Sequence, residues 1–251
     1  MEAIAPAPIH RARGLQRGPA RTRTVATQLI HTPPDWAKEV AALLDHLGLR
    51  RVAVVGHSSG GWTALELAKL GRTSAVLALA PAGLWRRHSP PVTDAILTVN
   101  WRLGQLLGAA VTKPLHTRLG RWTSLRQISA RPADVPVEDA VAMVRTVLAS
   151  KHFPEHFRQT RRLRFLDGRQ IPDDIPVHVV WGSKDRIARA RTSRHADELP
   201  EHATVATWAE CGHMVMWDAP QRVVSEALTL SASDDVSADL LIDKEGANPP
   251  A

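Results

Sequence analysis

The chain has 251 residues and is 44% hydrophobic, which is enough for one domain with a substantial apolar core and excludes a disordered protein. Its formal net charge of +7 raises the question of nucleic-acid or anionic-membrane binding. The arginines are spread along the chain, however, without a zinc-finger, helix-turn-helix or RNP pattern. We therefore interpret the charge as solvation of the surface and expect neither partner. The single cysteine, Cys211, excludes a disulfide within the chain.

Targeting segments and cofactor motifs are not found in the sequence. No apolar run approaches the roughly 20 residues that cross a bilayer. Residues 1–31 lack the apolar core of a signal peptide, so the cytoplasm is the expected location. Neither metal ligands at recognisable spacing nor a phosphate-binding glycine loop occurs, and we expect no metal and no cofactor.

The first 31 residues are rich in arginine and proline, with Glu2 as the only acid. Only the stretch 22–30 has the β-branched character of a strand. We expect this segment to be disordered or to hold one strand. A helix is predicted next, because Thr32 and the two prolines after it suit a helix start, and apolar residues then recur at helical spacing up to Gly48.

A strand, a turn and a helix follow in a pattern typical of a nucleophile elbow. The apolar run 51–55 predicts the strand, residues 56–60 read Gly-His-Ser-Ser-Gly, and the run 62–68 predicts the helix. In such a turn the chain reverses so sharply that the serine, here Ser58, takes a strained backbone conformation and exposes its hydroxyl. The N–H of Ser59, at the start of the helix, is expected to stabilise a developing oxyanion.

The pattern changes after the next predicted strand, residues 75–80. Helical segments broken by prolines continue to residue 171, so the sequence predicts a helical lid over about residues 84–171. Most of its apolar side chains are expected to hold the lid to the sheet. Trp85 and Trp101, near the lid entrance, are the candidates for substrate contact.

Two later strands are followed by a candidate acid and a candidate base, which a serine nucleophile requires. Asp185 lies in the turn after the predicted strand 175–181, and His213 lies in the loop after the predicted strand 203–208. Asp185 could instead be a solvated carboxylate paired with a neighbouring cation. Asp218 is a rival acid, although its position suits the N-terminus of the last helix, where an aspartate accepts backbone N–H bonds.

These motifs resemble the α/β-hydrolase superfamily, close to its small esterase and carbon–carbon hydrolase branch. The chain order Ser, Asp, His is that family's order. The resemblance implies an α/β fold with a mostly parallel sheet, helices on both faces, a helical lid, and active-site loops at the carboxyl ends of the strands. It covers roughly residues 32–231, and the tail 232–251 is expected to be disordered. The residues that carry the resemblance are 54–61, 180–185, 211–213 and 218–220.

The sequence departs from the family pattern in two ways. No His-Gly dipeptide occurs, although a His-Gly loop supplies the second N–H donor of the family's oxyanion hole. Only 57 residues precede Ser58, which leaves no room for the strands that the family places there. The strand before Ser58 would then expose an unpaired edge. A truncated start, which we favour, an N-terminal arm that supplies the strand, and a second copy that covers the edge are the competing explanations.

The expected function is that of a serine hydrolase that cleaves a small carboxylic ester. Ser58 would form an acyl-enzyme, with His213 as base and then acid and Asp185 orienting the imidazole. A serine at the elbow argues against the haloalkane dehalogenase and epoxide hydrolase branches, which place a carboxylate there. Lactones, thioesters and diketones remain open as substrates. The alternatives are an acyltransferase with the same triad and a catalytically impaired binding protein.

Overall fold

The computed structural model describes residues 32–150 and 153–232. The predictions for the arginine-rich segment 1–31 and for the tail beyond residue 232 lie outside the described residues. Within them, strands alternate with helices along the chain. This alternation follows from the parallel sheet, because each pair of parallel neighbours needs a long crossover connection.

Four parallel strands form one sheet. They are β1 Val52–His57, β2 Thr73–Leu79, β3 Val177–Gly182 and β4 Thr204–Trp208. Their order across the sheet is their order in the chain. Val55 of β1 lies opposite Leu77 of β2, which lies opposite His178 of β3. The predicted parallel sheet is confirmed, and β1 continues two residues beyond the predicted apolar run.

The helices surround the sheet and fill the connections. They are α1 Pro33–His46, α2 Ser59–Lys69, α3 Pro91–Leu107, α4 Arg118–Leu125, α5 Val137–Ala149, α6 Phe153–Thr160, α7 Ala190–Ser193, α8 Val215–Asp218 and α9 Pro220–Ala232. Short 3₁₀ turns cover 108–116, 132–134 and 168–170. The start of α1 is fixed by Thr32, whose N–H and hydroxyl both donate to the carboxylate of Asp35 at 3.0 and 2.6 Å.

Alternate residues of the central strands pack on opposite faces of the sheet. Val76 and Val179 lie in a core cluster with Trp62 of α2. Leu77 and Val180 lie in a second cluster, against which the apolar residues of α9 pack. Since successive side chains of a strand point to opposite faces, this division confirms the prediction of helices on both faces.

Residues 84–171, which we call the helical insertion, connect β2 to β3. The insertion has a small core of its own, formed by Leu115, Leu125, Val135 and Ala140. Trp217 of α8 packs against this core, so the insertion contacts the segment after β4. At its other end, the ring of His156 in α6 stacks on Trp36 of α1, with the ring centroids 4.4 Å apart.

Strand β1 lies at one end of the sheet, and within the described part of the chain no strand pairs with its outer edge. Val55 is 49% exposed and Ala53 is also exposed. By contrast, every residue of β2 is buried. The described residues therefore leave open the edge of the strand that leads into Ser58.

Candidate active site

Ser58 lies between β1 and α2 in a backbone conformation that few residues other than glycine adopt. Its φ is 53° and its ψ is −118°, as predicted for the elbow. Three hydrogen bonds hold the turn. The Ser58 N–H donates to the Leu79 carbonyl at 2.9 Å, and the Ser58 carbonyl accepts from the N–H groups of Trp62 at 3.1 Å and Ala82 at 3.0 Å. The strained turn is thus anchored to both β2 and α2.

The glycines of the elbow motif differ in their importance. A Cβ atom on Gly56 would lie 2.3 Å from the carbonyl oxygen of Gly60, so any side chain at position 56 would open the turn. A Cβ atom on Gly60 would meet nothing within 4 Å. The sharp reversal that presents Ser58 therefore depends on Gly56.

Asp185 lies directly after β3, and its side chain is fully buried. Its Oδ1 accepts the N–H groups of Ile187 and Ala188, both at 2.8 Å, and its Oδ2 lies 2.9 Å from Nδ1 of His213. Burial acts to raise the pKa of Asp185, but the bonds from His213 and the two N–H groups outweigh it, and the pKa lies below its ordinary value. The carboxylate is therefore held in its charged form.

His213 lies in the loop between β4 and α8, with a buried side chain. Because a carboxylate can only accept, its contact with Asp185 places the ring proton on Nδ1 of His213. The other ring nitrogen, Nε2, then carries a free lone pair in the neutral ring. That is the tautomer in which a histidine can take a proton from a hydroxyl.

His57 links the elbow to the loop of His213. Its Nε2 lies 3.0 Å from the carbonyl oxygen of His213, and the two rings meet edge to face with centroids 4.8 Å apart. Since the carbonyl can only accept, the proton of His57 is on Nε2. Desolvation, followed by the nearby His213, lowers the pKa of His57 to about 3, so the ring stays neutral. Apart from the position of His57 beside Ser58, no sequence pattern indicates this contact, because His213 lies 156 positions away.

Backbone contacts join the end of β3 to the loop of His213. The N–H of Lys184 donates to the Cys211 carbonyl at 2.8 Å. A Cβ atom on Gly182 would lie 2.2 Å from the carbonyl oxygens of both Cys211 and Gly212. The two loops that supply Asp185 and His213 approach this closely because residue 182 has no side chain.

Asp218 is a second buried acidic group at the site, and it holds loops together. Its Oδ2 accepts from the N–H of Gly212 at 2.7 Å and of Ala130 at 2.9 Å, while Oδ1 accepts from the hydroxyl of Ser129 at 2.7 Å. Asp218 accepts backbone N–H bonds as predicted, but they come from these loops rather than from the start of α9. It therefore connects the helical insertion to the residue before His213.

The structure brings the predicted acid and base into contact. His57 places the loop of His213 next to the elbow. Within residues 32–150 and 153–232, no hydrogen bond reaches the hydroxyl of Ser58, which is partly exposed. Ser59 is the first residue of α2, so its N–H has no acceptor within the helix and is available at the helix N-terminus. The serine half of the site is thus accessible, whereas the Asp185–His213 half is buried and bonded.

The two tryptophans predicted to contact substrate lie in different places. Trp85 is 9% exposed, donates its ring N–H to the Leu163 carbonyl at 2.7 Å and meets Trp62 edge to face in the core. Trp101 lines a cavity in the helical insertion whose walls contain none of the three predicted triad residues. Substrate contact by either ring stays a prediction.

The chain belongs to the α/β-hydrolase family. The sequence model of the alpha/beta hydrolase family matches residues 9–227 of this chain. The sequence-based assignment to the superfamily is confirmed. The match begins inside the arginine-rich segment, earlier than the expected start near residue 32. Every helix of the described residues is too short or too polar to cross a membrane.

Relatives in this family carry different activities in their names. Epoxide hydrolase EphH of Mycobacterium tuberculosis H37Rv is 32% identical over 200 residues, and the match covers 74% of this chain and 89% of the relative. The dihydrolipoyllysine-residue acetyltransferase component of the acetoin cleaving system of Pseudomonas putida is 31% identical over 201 residues, covering 77% of this chain and 49% of that protein. The crystal structure of a bacterial membrane phospholipase A has a TM-score of 0.60 at 20% identity, covering 82% of this chain and 64% of that chain. This last likeness concerns the fold alone.

Proposed function

We propose that the protein is a serine hydrolase that cleaves a small carboxylic ester through an acyl-enzyme on Ser58. The observation that carries the proposal is the buried pair of Asp185 and His213, 2.9 Å apart, beside a strained serine elbow. A serine hydroxyl, a carboxylate and an imidazole, in this chain order, are the parts that acyl transfer requires. Membership in the hydrolase family supports the same reading.

In the first half of the reaction, Nε2 of His213 takes the proton of the Ser58 hydroxyl as its oxygen attacks the ester carbonyl. The positive imidazolium that forms is stabilised by Asp185, whose carboxylate stays charged because its pKa is depressed. The N–H of Ser59 donates to the tetrahedral oxyanion. His213 then gives its proton to the departing alcohol, which leaves Ser58 acylated.

In the second half, water replaces the alcohol. His213 takes a proton from the water molecule, whose oxygen attacks the acyl carbonyl, and returns that proton to the oxygen of Ser58. The carboxylic acid leaves and the hydroxyl is restored. Throughout both halves, the bond from His57 to the carbonyl of His213 would keep the base facing the elbow.

The test uses the complete chain and a fluorophosphonate probe, which labels an activated serine covalently. We expect stoichiometric labelling of Ser58 and hydrolysis of p-nitrophenyl acetate, with both lost in Ser58→Ala by a factor of about 10⁴ or more. Ser59→Ala is the matched control, since it keeps the backbone N–H and should retain labelling. Folded wild-type protein that neither reacts with the probe nor hydrolyses the ester would leave the impaired binding protein as the better interpretation.

The acetyltransferase relative favours one alternative, in which an acceptor other than water resolves the acyl-enzyme. Ester turnover in the presence of an added alcohol or amine distinguishes the two. A hydrolase releases mainly free acid, whereas an acyltransferase releases mainly the new ester or amide. Product analysis by mass spectrometry would decide between them.

The epoxide hydrolase relative favours a second alternative, in which the substrate is an epoxide. Attack of the Ser58 oxygen on an epoxide carbon would form an ether, which water does not cleave as it cleaves an ester. Epoxide opening at this elbow would therefore need direct attack by water with His213 as base. Turnover of styrene oxide that survives Ser58→Ala would support that chemistry, whereas a serine esterase leaves the epoxide unchanged.

A further inference from the structure

A cavity of about 300 Å³ lies between α3 and α6 in the helical insertion. This volume is at the lower end of the range for small-molecule sites. Its lining contains no residue of the Ser58, Asp185 and His213 group, so it is a separate site on the described surface. The residues that line it are Thr98, Trp101, Arg102, Phe153, Phe157, Arg158 and Arg161.

The apolar part of the lining is a set of nearly parallel aromatic rings. Trp101 and Phe153 are inclined by 18° with centroids 6.4 Å apart, and Phe153 and Phe157 are inclined by 2° with centroids 5.8 Å apart. Aligned ring faces of this kind favour another flat ring, which can stack on them or meet them edge to face. They provide no polar group of their own, apart from the indole N–H of Trp101.

The polar part of the lining consists almost entirely of hydrogen-bond donors. Guanidinium and indole groups can only donate, and the hydroxyl of Thr98 is the one lining side chain that could also accept. The Nε1–H of Trp101 is buried without a partner among the described residues. An unpaired buried donor is costly, and a ligand that accepts a hydrogen bond there would remove this cost.

The charge of the cavity is only partly balanced. Arg158 pairs with Glu155, and Arg161 lies 3.3 Å from the carboxylate of Asp94. Arg102, one helical position after Trp101, has no carboxylate partner within the described part of the chain. The cavity therefore combines one uncompensated guanidinium with an unpaired N–H on the same helix.

We propose that this cavity is a binding site for a small aromatic monocarboxylate, whose ring packs on the aligned aromatic side chains and whose carboxylate accepts from Arg102 and from the Nε1–H of Trp101. A carboxylate provides the acceptors that the lining lacks, and charge-assisted bonds from a guanidinium are the stronger kind. The site does not depend on the proposed serine chemistry, because none of its residues takes part in that chemistry.

The experiment titrates the complete chain, carrying Ser58→Ala, with phenylacetate and with its neutral counterpart phenylacetamide. Calorimetry measures the affinity, and the indole N–H signals in a ¹⁵N spectrum report the contact, with Trp101→Phe identifying the signal of residue 101. We expect phenylacetate to shift that signal and to bind at least about tenfold more tightly than phenylacetamide. Catalytic failure would not affect this measurement.

Two exposed arginines of the insertion provide the matched variants. Arg102→Gln should weaken phenylacetate binding about tenfold, whereas Arg145→Gln, on α5 and outside the cavity, should leave it unchanged. Arg102→Lys keeps the charge and should recover part of the affinity. The proposal is overturned if phenylacetate does not bind, if the amide binds equally well, or if the two glutamine variants behave alike.

Discussion

The two halves of the candidate site are built differently. Asp185 and His213 follow β3 and β4, their side chains are buried, and the Asp185 oxygens all have partners. Ser58 follows β1, which has one open edge among the described residues and an exposed Val55. The acid–base half is therefore prearranged by packing and hydrogen bonds. The nucleophile half depends on a local turn, and residues that pair with β1 would add to its support.

The largest loss of activity is expected from a substitution that disrupts the Asp185–His213 pair and leaves the elbow intact. Asp185→Asn removes the charge that stabilises the imidazolium and favours the wrong tautomer of His213, so kcat for ester hydrolysis should fall about 10³- to 10⁴-fold. Steady-state kinetics checks this, with Asp173→Asn as an exposed control. A loss below tenfold would contradict the role proposed for Asp185.

The same variant has a pH-dependent effect on stability. The pKa of Asp185 is depressed in the folded protein, so its contribution is complete above the ordinary pKa of an aspartate and is lost as the pH falls through the folded pKa. The difference in unfolding free energy between wild type and Asp185→Asn should therefore stay nearly constant from pH 7 down to the ordinary aspartate pKa of 3.8 and shrink on further acidification. Urea titrations at several pH values would measure it.

A smaller effect is expected where Asp218 ties the helical insertion to the His213 loop. In Asp218→Asn the amide NH₂ must replace one carboxylate oxygen, although both oxygens accept from donors. We expect a loss of about 2 to 3 kcal/mol in unfolding free energy and a fall in kcat of about tenfold, because Gly212 is released. Ser129→Ala removes the hydroxyl that donates to Asp218 and accepts from the N–H of Arg131, but this N–H keeps Oδ1 of Asp218 as a second acceptor at 3.2 Å. We expect a cost of about 1 kcal/mol. Equal losses in the two variants would contradict the linking role.

His57 lies between the two halves of the site, and we expect it to make the unfolding free energy depend on pH. Its folded pKa of about 3 lies below the unfolded value near 6.5. Its contribution to stability is thus complete above pH 6.5 and is lost as the pH falls from there toward 3, by at most about 1.4 kcal/mol per pH unit. His57→Gln can still donate to the His213 carbonyl but does not titrate, so its unfolding free energy should fall less steeply. Parallel slopes for the two proteins would contradict this account.

The smallest change in unfolding free energy is expected at the open edge of β1. Val179 of β3 is fully buried, whereas Val55 of β1 is 49% exposed. Val179→Ala should lower the unfolding free energy by about 2 kcal/mol and Val55→Ala by less than about 1 kcal/mol. Chemical denaturation compares them. Equal losses would mean that Val55 is covered in solution, by residues outside the described part or by a second copy.

Local patterns in the sequence were enough to predict the elements that present the site. Glycines around Ser58, after a β-branched run, indicate an elbow because few other sequences allow that reversal. The contact of Asp185 with His213 can be predicted because each residue follows a strand, and parallel strands bring their carboxyl ends to one edge of the sheet. Chain order then supplied the roles that we propose for them.

Contacts between distant residues could not be predicted in this way. Asp218 binds Ser129, which is 89 positions away, so nothing near Asp218 in the sequence marks the bond. The place of Trp85 in the core depends on the carbonyl of Leu163, 78 positions away, so nothing near Trp85 in the sequence indicates it. The cavity beside Trp101 likewise requires α3 and α6 to meet, which periodicity alone does not specify.

Because Gly182 has no side chain, the loop of Asp185 can pack directly against the loop of His213. Even a methyl group there would overlap the Cys211 and Gly212 carbonyls, which lie 2.2 Å from its ideal position. Any substitution at position 182 in a library of variants would therefore push apart the loops that carry Asp185 and His213, so that the two side chains no longer touch.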